Sequence, residues 1–161
     1  MRMRAVCMLI VGFFLILGFS NAVSAVDKVD AVVPKDTIKI GVIADMTGPT
    51  ATLQVPAPKA MRVFFRHIND QGGILGRKVQ LIIEDDRYTI PLHVSAFKKL
   101  VYRDKAFMFV ELGGTGQGLA LVPQFTKLKI PNFMAVTSRS FVRPTLPYHF
   151  TNGATYEDEI E

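Results

Sequence analysis

Cysteine is nearly absent from this chain, and tryptophan is absent altogether. The single cysteine, Cys7, lies at the beginning of an N-terminal apolar run and not after it, which argues against a cysteine that carries a lipid anchor. If that run leaves with a signal peptide, no thiol remains for a disulfide or a cysteine metal site. The folded part must then be stabilised by its hydrophobic core alone.

The N-terminus has the parts of a secretory signal peptide. Arg2 and Arg4 form a basic start, Ala5 to Phe19 is apolar, and small residues lead to a cleavage site after Ala25, with Ala22 as the alternative. A membrane anchor is the other interpretation, but the run is shorter than the about 20 residues that a spanning helix needs. We therefore predict cleavage and export to the bacterial periplasm.

Strong charge of one sign is also lacking. The formal net charge of +5 falls by two when Arg2 and Arg4 leave, and the remaining basic residues are scattered over predicted helix faces. No basic patch with interleaved aromatic residues occurs, so nucleic acid is not a predicted partner.

The motifs of nucleotide binding, metal binding and catalysis are missing as well. The stretch 113–118 has the spacing Gly-x-x-Gly-x-Gly, which differs from the dinucleotide fingerprint, and there is no phosphate-binding loop. His67, His93 and His149 lack metal-ligand spacing, and no nucleophile elbow occurs. We therefore predict no enzymatic activity, no cofactor and no metal site.

The acidic pair Asp85–Asp86 ends a predicted strand without an obvious histidine or cysteine partner. Metal binding or acid–base chemistry would be one use for such a pair. A solvated strand exit, or an acid at the start of a helix, is the interpretation that we favour.

The apolar residues alternate between strand and helix patterns along the rest of the chain. Strands are predicted at 37–44, 78–84, 107–112, 132–136 and 148–151, and helices at 56–71, 91–103 and 119–128. This order predicts an α/β fold with a doubly wound parallel sheet. The predicted organisation is a signal peptide at 1–25, a linker at 26–37 and a single α/β domain at 38–161.

Two details of the helices follow from residue spacing. The first helix should end at the left-handed turn Gly72–Gly73, and the third should start at Leu119, with Pro123 in its first turns. The residues of the first helix predicted to face inward are Ala57, Ala60, Met61, Phe64 and Ile68.

The last residues have the pattern of a helix start. Thr155 and Asp158 are spaced as a capping box, and further acids follow before Glu161. Because a single helical turn buries little surface, we expect a truncated or incomplete reading frame. A solvated acidic tail is the alternative.

Open parallel sheets bind ligands beyond the carboxyl ends of their strands, where the strand order reverses. If the first strand is central, the loops 45–54 and 113–118 flank that point, and the hydroxyl-rich stretch 136–140 lies beside them. Backbone N–H groups at helix starts, together with hydroxyls, suit a carboxylate.

Thr115 is our first choice for a hydroxyl donor to such a ligand, followed by Thr137 and Ser138. For each of these residues a turn or helix-cap role is the more common one.

Three stretches of the chain resemble the leucine/isoleucine/valine (type I) family of periplasmic binding proteins, which are the solute receptors of branched-chain amino acid ABC transporters. The similar stretches are Ile38 to Ala44 with Thr47-Gly48-Pro49, Ile68 to Val79 with Asp85-Asp86, and Leu112 to Gly116 with Ile130 to Ser140. Members have two α/β lobes that close on the ligand, and residues 38–161 are similar to the first, flavodoxin-like part of lobe one only.

The resemblance implies a periplasmic protein, expected to be monomeric, that binds a branched-chain amino acid or similar small carboxylate and delivers it to the membrane permease of an ABC transporter. The positions that match the family's ligand contacts are Gly114, Thr115, Val136, Thr137 and Ser138. The alternative is the ligand-binding extracellular part of a sensor or receptor of the same fold.

The chain departs from the family pattern at three positions. Arg139 and Ser140 replace residues that are small or proline in many members, and Leu53 replaces one that is often aromatic in amino acid binders. Arg139 would suit a second carboxylate on the ligand or an aromatic acid.

Overall fold

The computed structural model describes residues 37–135 and 138–160. The strands are β1 Thr37–Ala44, β2 Lys78–Asp85, β3 Met108–Glu111, β4 Asn132–Met134 and β5 His149–Thr151. The α-helices are α1 Ala51–Gln54, α2 Pro56–Asp70, α3 Ile90–Lys98 and α4 Thr115–Leu128, with a π-helical turn at Lys99–Arg103 and a 3₁₀ turn at Arg139–Phe141. The predicted signal peptide lies outside the described residues.

The five strands form one parallel sheet in the order β2-β1-β3-β4-β5. The chain moves outward from β1 to one side through β2 and to the other through β3, β4 and β5. The strand order therefore reverses between β1 and β3, which is the site-forming topology of open α/β sheets. The predicted doubly wound sheet is confirmed.

An aromatic cluster forms the core on the face of the sheet covered by α3 and α4. Phe97, Phe109 and Phe125 are fully buried, with ring centroids 4.8–5.3 Å apart. Burial of each such side chain contributes about 1.5–3 kcal/mol. This cluster holds α3 and α4 against the central strands, so the loops at their N-termini have a fixed base.

Helix α2 covers the opposite face and is rotated relative to its predicted orientation. Met61 and Phe65 pack against the core, whereas Phe64, predicted to face inward, is 57% exposed. The Asn69 side chain makes hydrogen bonds of 2.7 and 2.8 Å with the backbone N–H and C=O of Val79. Because these bonds tie the end of the helix to β2, they select Phe65 and not Phe64 as the inner residue.

The turn after α2 lies at the amino end of β2, away from the carboxyl ends of the strands. The Gly73 N–H donates to Ile68 O at 2.9 Å, and the φ angles of Gly72 and Gly73 are +105° and +82°. A Cβ on Gly73 would lie 2.1 Å from Arg77 O. The predicted glycine stop of this helix is therefore confirmed.

Helix α4 begins at Thr115, so the predicted start at Leu119 is wrong and Pro123 lies in the helix interior. Gly118 lies inside this helix, where the helix packs closely on β4 and the 3₁₀ turn. A Cβ there would lie 2.1 Å from Met134 Cε and 3.0 Å from Phe141 Cζ. The glycine allows this close approach and does not form a turn.

No helix in the described part of the chain has the length and apolar character required to cross a membrane.

Candidate functional site

An open cavity of about 600 Å³ lies beyond the carboxyl ends of β1 and β3, where the strand order reverses. Its volume is in the range of small-molecule sites. The lining residues are Thr50, Leu53, Gln54, Tyr88, Leu112, Gly113, Gly114, Thr115, Ala135 and Tyr156. Two of the predicted ligand-binding residues, Gly114 and Thr115, therefore face a cavity.

Gly114 and Thr115 form the start of α4. Gly114 is the N-cap, Thr115 is the first helical residue, and no side chain caps the helix within the described residues. The first N–H groups of a helix have no partner inside it and carry partial positive charge, so they attract a carboxylate. Within residues 37–135 and 138–160, the Thr115 hydroxyl makes no hydrogen bond and can donate to a ligand.

Tyr88 forms a wall of the cavity, and the sequence patterns did not single it out. Its backbone N–H donates to Asp86 Oδ1 at 2.8 Å, and its carbonyl accepts from Gln117 Nε2 at 3.0 Å. A Cβ on Gly114 would lie 2.5 Å from Tyr88 Oη, so glycine makes room for this ring. An aromatic residue just after an acidic strand exit was the signal available in the sequence.

Asp45 organises the loop after β1, which forms a second wall. This buried carboxylate accepts hydrogen bonds from the N–H of Gly48 at 2.5 Å and from the N–H and hydroxyl of Thr50, both at 2.7 Å. Burial acts to raise the pKa of Asp45, but the hydrogen bonds from Thr50 and Gly48 outweigh it and hold that pKa below its ordinary value. The Gln54 side chain bonds the Asp45 N–H and the Thr50 hydroxyl.

Asp85 joins the loop after β1 to the end of β2. It accepts hydrogen bonds from the Met46 N–H at 2.8 Å, the Thr47 hydroxyl at 2.6 Å and the Arg87 N–H at 3.0 Å. Burial opposes ionisation, yet these bonds, led by that of Thr47, keep the Asp85 pKa below its ordinary value. Asp85 therefore has hydrogen-bond partners both in the loop after β1 and in the segment after β2.

Asp86, predicted at a solvated strand exit without a histidine partner, is instead fully buried against a histidine. His93 Nδ1 lies 2.7 Å from Asp86 Oδ2, and His93 Nε2 lies 2.9 Å from Glu111 Oε1. Asn132 Nδ2 donates to Glu111 Oε2 at 2.7 Å. We call these four residues, all at most 1% exposed, the buried histidine network.

Metal binding and acid–base chemistry are the two possible uses of the acidic pair Asp85–Asp86, and the network concerns both. Because each nitrogen of His93 lies within hydrogen-bond distance of a carboxylate oxygen, both nitrogens are engaged and neither is open to a metal ion. Burial opposes the charge on this ring, but the hydrogen bonds to Asp86 and Glu111 raise its pKa to about 9. Within the described residues, no cluster of three or more histidine, cysteine or acidic side chains is arranged to hold a metal ion.

The remaining predicted site residues follow β4. Val136 and Thr137 lie outside the described residues. Ser138 is the N-cap of the 3₁₀ turn, where its Oγ accepts from the Ser140 N–H at 3.4 Å, and it is not among the described residues that line the cavity. In the structure, Ser138 thus has the capping role that such hydroxyls commonly have.

The end of the described chain packs beside this turn. Thr155 and Asp158 form the predicted capping box, with the Asp158 N–H donating to Thr155 Oγ1 at 3.2 Å and the Thr155 N–H donating to Asp158 Oδ2 at 3.2 Å. Arg139 Nη2 lies 3.6 Å from Asp158 Oδ1. The guanidinium thus has an acidic partner within the chain, and Tyr156 is brought to the cavity wall.

The sequence model of the periplasmic binding protein family matches residues 37–161. None of the curated protein sequences matches this chain significantly. Among solved structures, a solute-binding protein of an ABC transporter from Rhodopseudomonas palustris, in complex with 3,4-dihydroxybenzoic acid, is 25% identical with a TM-score of 0.62, over 75% of this chain and 33% of its own.

Two further structures have the same fold. A branched-chain amino acid ABC transporter protein from Thermus thermophilus with bound valine has a TM-score of 0.72 at 22% identity, over 80% of this chain and 34% of its own. A fatty acid ABC transporter substrate-binding protein from Thermomonospora curvata also has a TM-score of 0.72 at 23% identity, over 78% of this chain and 31% of its own. The chain thus spans about a third of the length of these proteins. This chain belongs to the periplasmic binding protein family.

Proposed function

We propose that this chain is part of the periplasmic solute-binding component of an ABC transporter, and that it binds a branched-chain amino acid or a similar small carboxylate. The observation that carries the proposal is the cavity at the reversal of strand order, with the start of α4 in its wall. The ligand carboxylate would accept hydrogen bonds from the first N–H groups of α4 and from the Thr115 hydroxyl.

The cavity walls away from the start of α4 suit the apolar or aromatic part of a ligand. Leu53 is 80% exposed, and Tyr88 and Tyr156 are roughly half exposed, so these side chains offer apolar surface to a ligand in the cavity. Apolar walls with a few convergent polar groups are typical of small-molecule sites. Gly114 and Thr115 would thus orient the ligand, while the three larger side chains would select its shape.

The cavity is open on one side, which limits what this chain can do by itself. Because the similar structures are about three times as long, we infer that a second lobe closes over the ligand in a complete protein. The complete protein would be a monomer that delivers its ligand to a membrane permease. Without the second lobe, the ligand stays partly hydrated, so we expect weak binding.

The remaining parts of the proposal concern export and organisation. Residues 1–25 would direct the protein to the periplasm and be removed, residues 26–37 would be a linker, and residues 38–161 would be the first part of lobe one. A role in binding and not in catalysis is supported by the engagement of both His93 nitrogens by carboxylates.

The experiment is an NMR titration of the ¹⁵N-labelled chain with L-valine, L-isoleucine and 3,4-dihydroxybenzoate, with glucose as the uncharged control. We expect at least one carboxylate to shift the amides of Gly114 and Thr115, and the variant Thr115→Val to weaken binding by about tenfold. Thr126→Val, at the far end of the same helix, is the matched control and should bind as the original chain does. Shifts that are absent for every carboxylate, or equal for glucose, would contradict the proposal.

A further inference from the structure

The buried histidine network lies directly beneath the cavity floor. A Cβ placed on Gly113, which lines the cavity, would lie 3.4 Å from Asp86 Oδ2 and 3.4 Å from His93 Cε1. Only the backbone of Gly113 therefore separates the network from the space where a ligand would sit. The network itself is closed to solvent, so it cannot touch a ligand.

Each end of the network is bonded to a segment that forms a cavity wall. Asp86 uses one carboxylate oxygen for His93 and the other for the Tyr88 N–H at 2.8 Å. Glu111 is the last residue of β3, immediately before Leu112 and Gly113, and its carbonyl accepts from the Ala135 N–H at 3.0 Å. His93 is thus the one side chain of the network that joins the Tyr88 wall to the Gly113–Gly114 floor.

We propose that His93 is a positioning residue of the ligand cavity: its ring holds Asp86 and Glu111 together and so fixes Tyr88 relative to Gly113 and Gly114. This inference rests on the proposed function for its effect on ligand binding. The start of α4 provides donors for a carboxylate only if its first turn keeps a fixed position, and preorganised donors bind more tightly than mobile ones.

Two acids face the ring, and a neutral amide contacts one of them. Asp86 at the exit of β2 and Glu111 in β3 are the two acids, and Asn132 in β4 is a neutral amide that occupies the second oxygen of Glu111. In Glu111→Gln, the new amide can donate to Nε2 of a neutral ring while its oxygen accepts from Asn132. This variant should therefore keep the bridge. His93→Gln can reach only one of the two acids, so the oxygen of the other acid that faced the ring loses its partner.

The test compares three variants of the full chain: His93→Gln, Glu111→Gln and, as the matched control, His67→Gln on the exposed side of α2. The first readout is the set of amide shifts of Tyr88, Gly113 and Gly114, and the second is the dissociation constant for 3,4-dihydroxybenzoate and for L-valine. We expect His93→Gln to move all three amides and to weaken binding at least about tenfold. Glu111→Gln should bind within about threefold of the original chain, and His67→Gln should change neither readout.

A pH titration of the unchanged chain gives a measurement that does not depend on whether His93→Gln folds. The ring ¹⁵N shifts of His93 report its protonation, and deprotonation breaks one of the two bonds to the acids. We expect the amides of Tyr88 and Gly114 to move with the same midpoint as the ring, while amides in α2 do not follow it. A ring that titrates without any change in these amides would overturn the proposal.

The outcomes separate this inference from the proposed function. If the original chain binds none of the probes but His93→Gln moves the cavity amides, the proposed function fails and the positioning role stands. If the original chain binds a probe and a folded His93→Gln binds it equally well with unchanged amides, the positioning role fails alone. Equal losses for His93→Gln and Glu111→Gln would also overturn it, since charge and not the bridge would then matter.

Discussion

Two glycine turns, Gly72–Gly73 and Gly113–Gly114, lie at opposite ends of the sheet and need glycine for different reasons. In the first turn both glycines have positive φ, and a Cβ on Gly73 would meet backbone atoms of Arg77. In the second turn Gly114 has extended backbone, and a Cβ would meet only the tips of side chains, at 2.5 Å from Tyr88 Oη and 2.7 Å from Gln117 Oε1. The first turn is thus required by the fold, and the second by the cavity.

The two turns also differ in the groups that support them. Backbone hydrogen bonds and the Asn69 side chain hold the first turn, and Lys78 Nζ donates to the Asn69 carbonyl at its exposed surface. The second turn lies on the buried histidine network and is the start of α4. Burying charged groups costs free energy unless each one is paired. The stability of the sheet therefore does not explain why these groups are buried at this point.

The largest effect on stability is expected from Gly73→Ala. The substitution combines a left-handed φ with a clash against the Arg77 carbonyl, so it should lower the free energy of unfolding by roughly 3 kcal/mol. Gly72→Ala is the matched control, because its φ is also positive but its Cβ has no neighbour within 4 Å. Urea denaturation measures both, and equal losses would mean that backbone conformation alone explains the turn.

The next effect concerns pH and belongs to the second turn. Because the His93 pKa is raised to about 9 from 6.5, the stabilisation by its charged ring is fully present below pH 6.5 and is lost as pH rises through about 9. We expect the free energy of unfolding to fall on the order of 2 kcal/mol across that range. Denaturation at several pH values should show this slope in the original chain and in His67→Gln, and little of it in His93→Gln.

A third prediction reverses the pattern of the first. Gly114→Ala should cost less than about 1 kcal/mol of stability, because the tips of Tyr88 and Gln117 can move aside. It should nevertheless weaken carboxylate binding by about tenfold, since the displaced Tyr88 would enter the cavity. Denaturation and the NMR titration together test this. A large loss of stability with unchanged binding would mean that the second turn, like the first, is required for the fold and not for the cavity.

The smallest effect is expected at the end of the described chain. Thr155→Val removes the hydroxyl of the capping box and should cost about 0.5–1 kcal/mol, or less where the turn is solvated. Thr52→Val, on the exposed surface of α1, is a matched control without a comparable bond. If the Thr155 variant also weakened ligand binding, the position of Tyr156 in the cavity wall would matter for binding, as that of Gly114 does.

The sequence predicted those features that depend on neighbouring residues. The order of the five strands and of helices α2, α3 and α4, the end of α2 at Gly72–Gly73 and the capping box of Thr155 with Asp158 all follow from local spacing and backbone preference. Helix α1, at Ala51–Gln54, lies in a stretch predicted as a loop. Gly114 and Thr115 were also predicted from the topology and the family resemblance, and the structure places both in a cavity wall. Their contact with a ligand stays a prediction.

The features that could not be predicted depend on distant segments meeting. The buried histidine network joins β2, α3, β3 and β4, and nothing in the spacing of Asp86, His93 and Glu111 indicates that they touch. Phe64 and Phe65 are equally apolar, and the contacts of α2 with β2, including the two bonds of Asn69, place Phe65 inward. Gly118 was interpreted as part of a turn because glycine favours turns, but its reason is the contact with Met134 across two elements.

The buried histidine network also has an electrostatic consequence for ligand choice. The network holds two acidic side chains and one basic one, so acidic groups are in excess about one backbone thickness below the cavity floor. A simple anion at the start of α4 is repelled by negative charge on these groups, whereas a zwitterion can turn its ammonium group toward it. If the proposed site is correct, we expect it to bind amino acids more tightly than plain carboxylic acids, and added salt to reduce that difference in affinity.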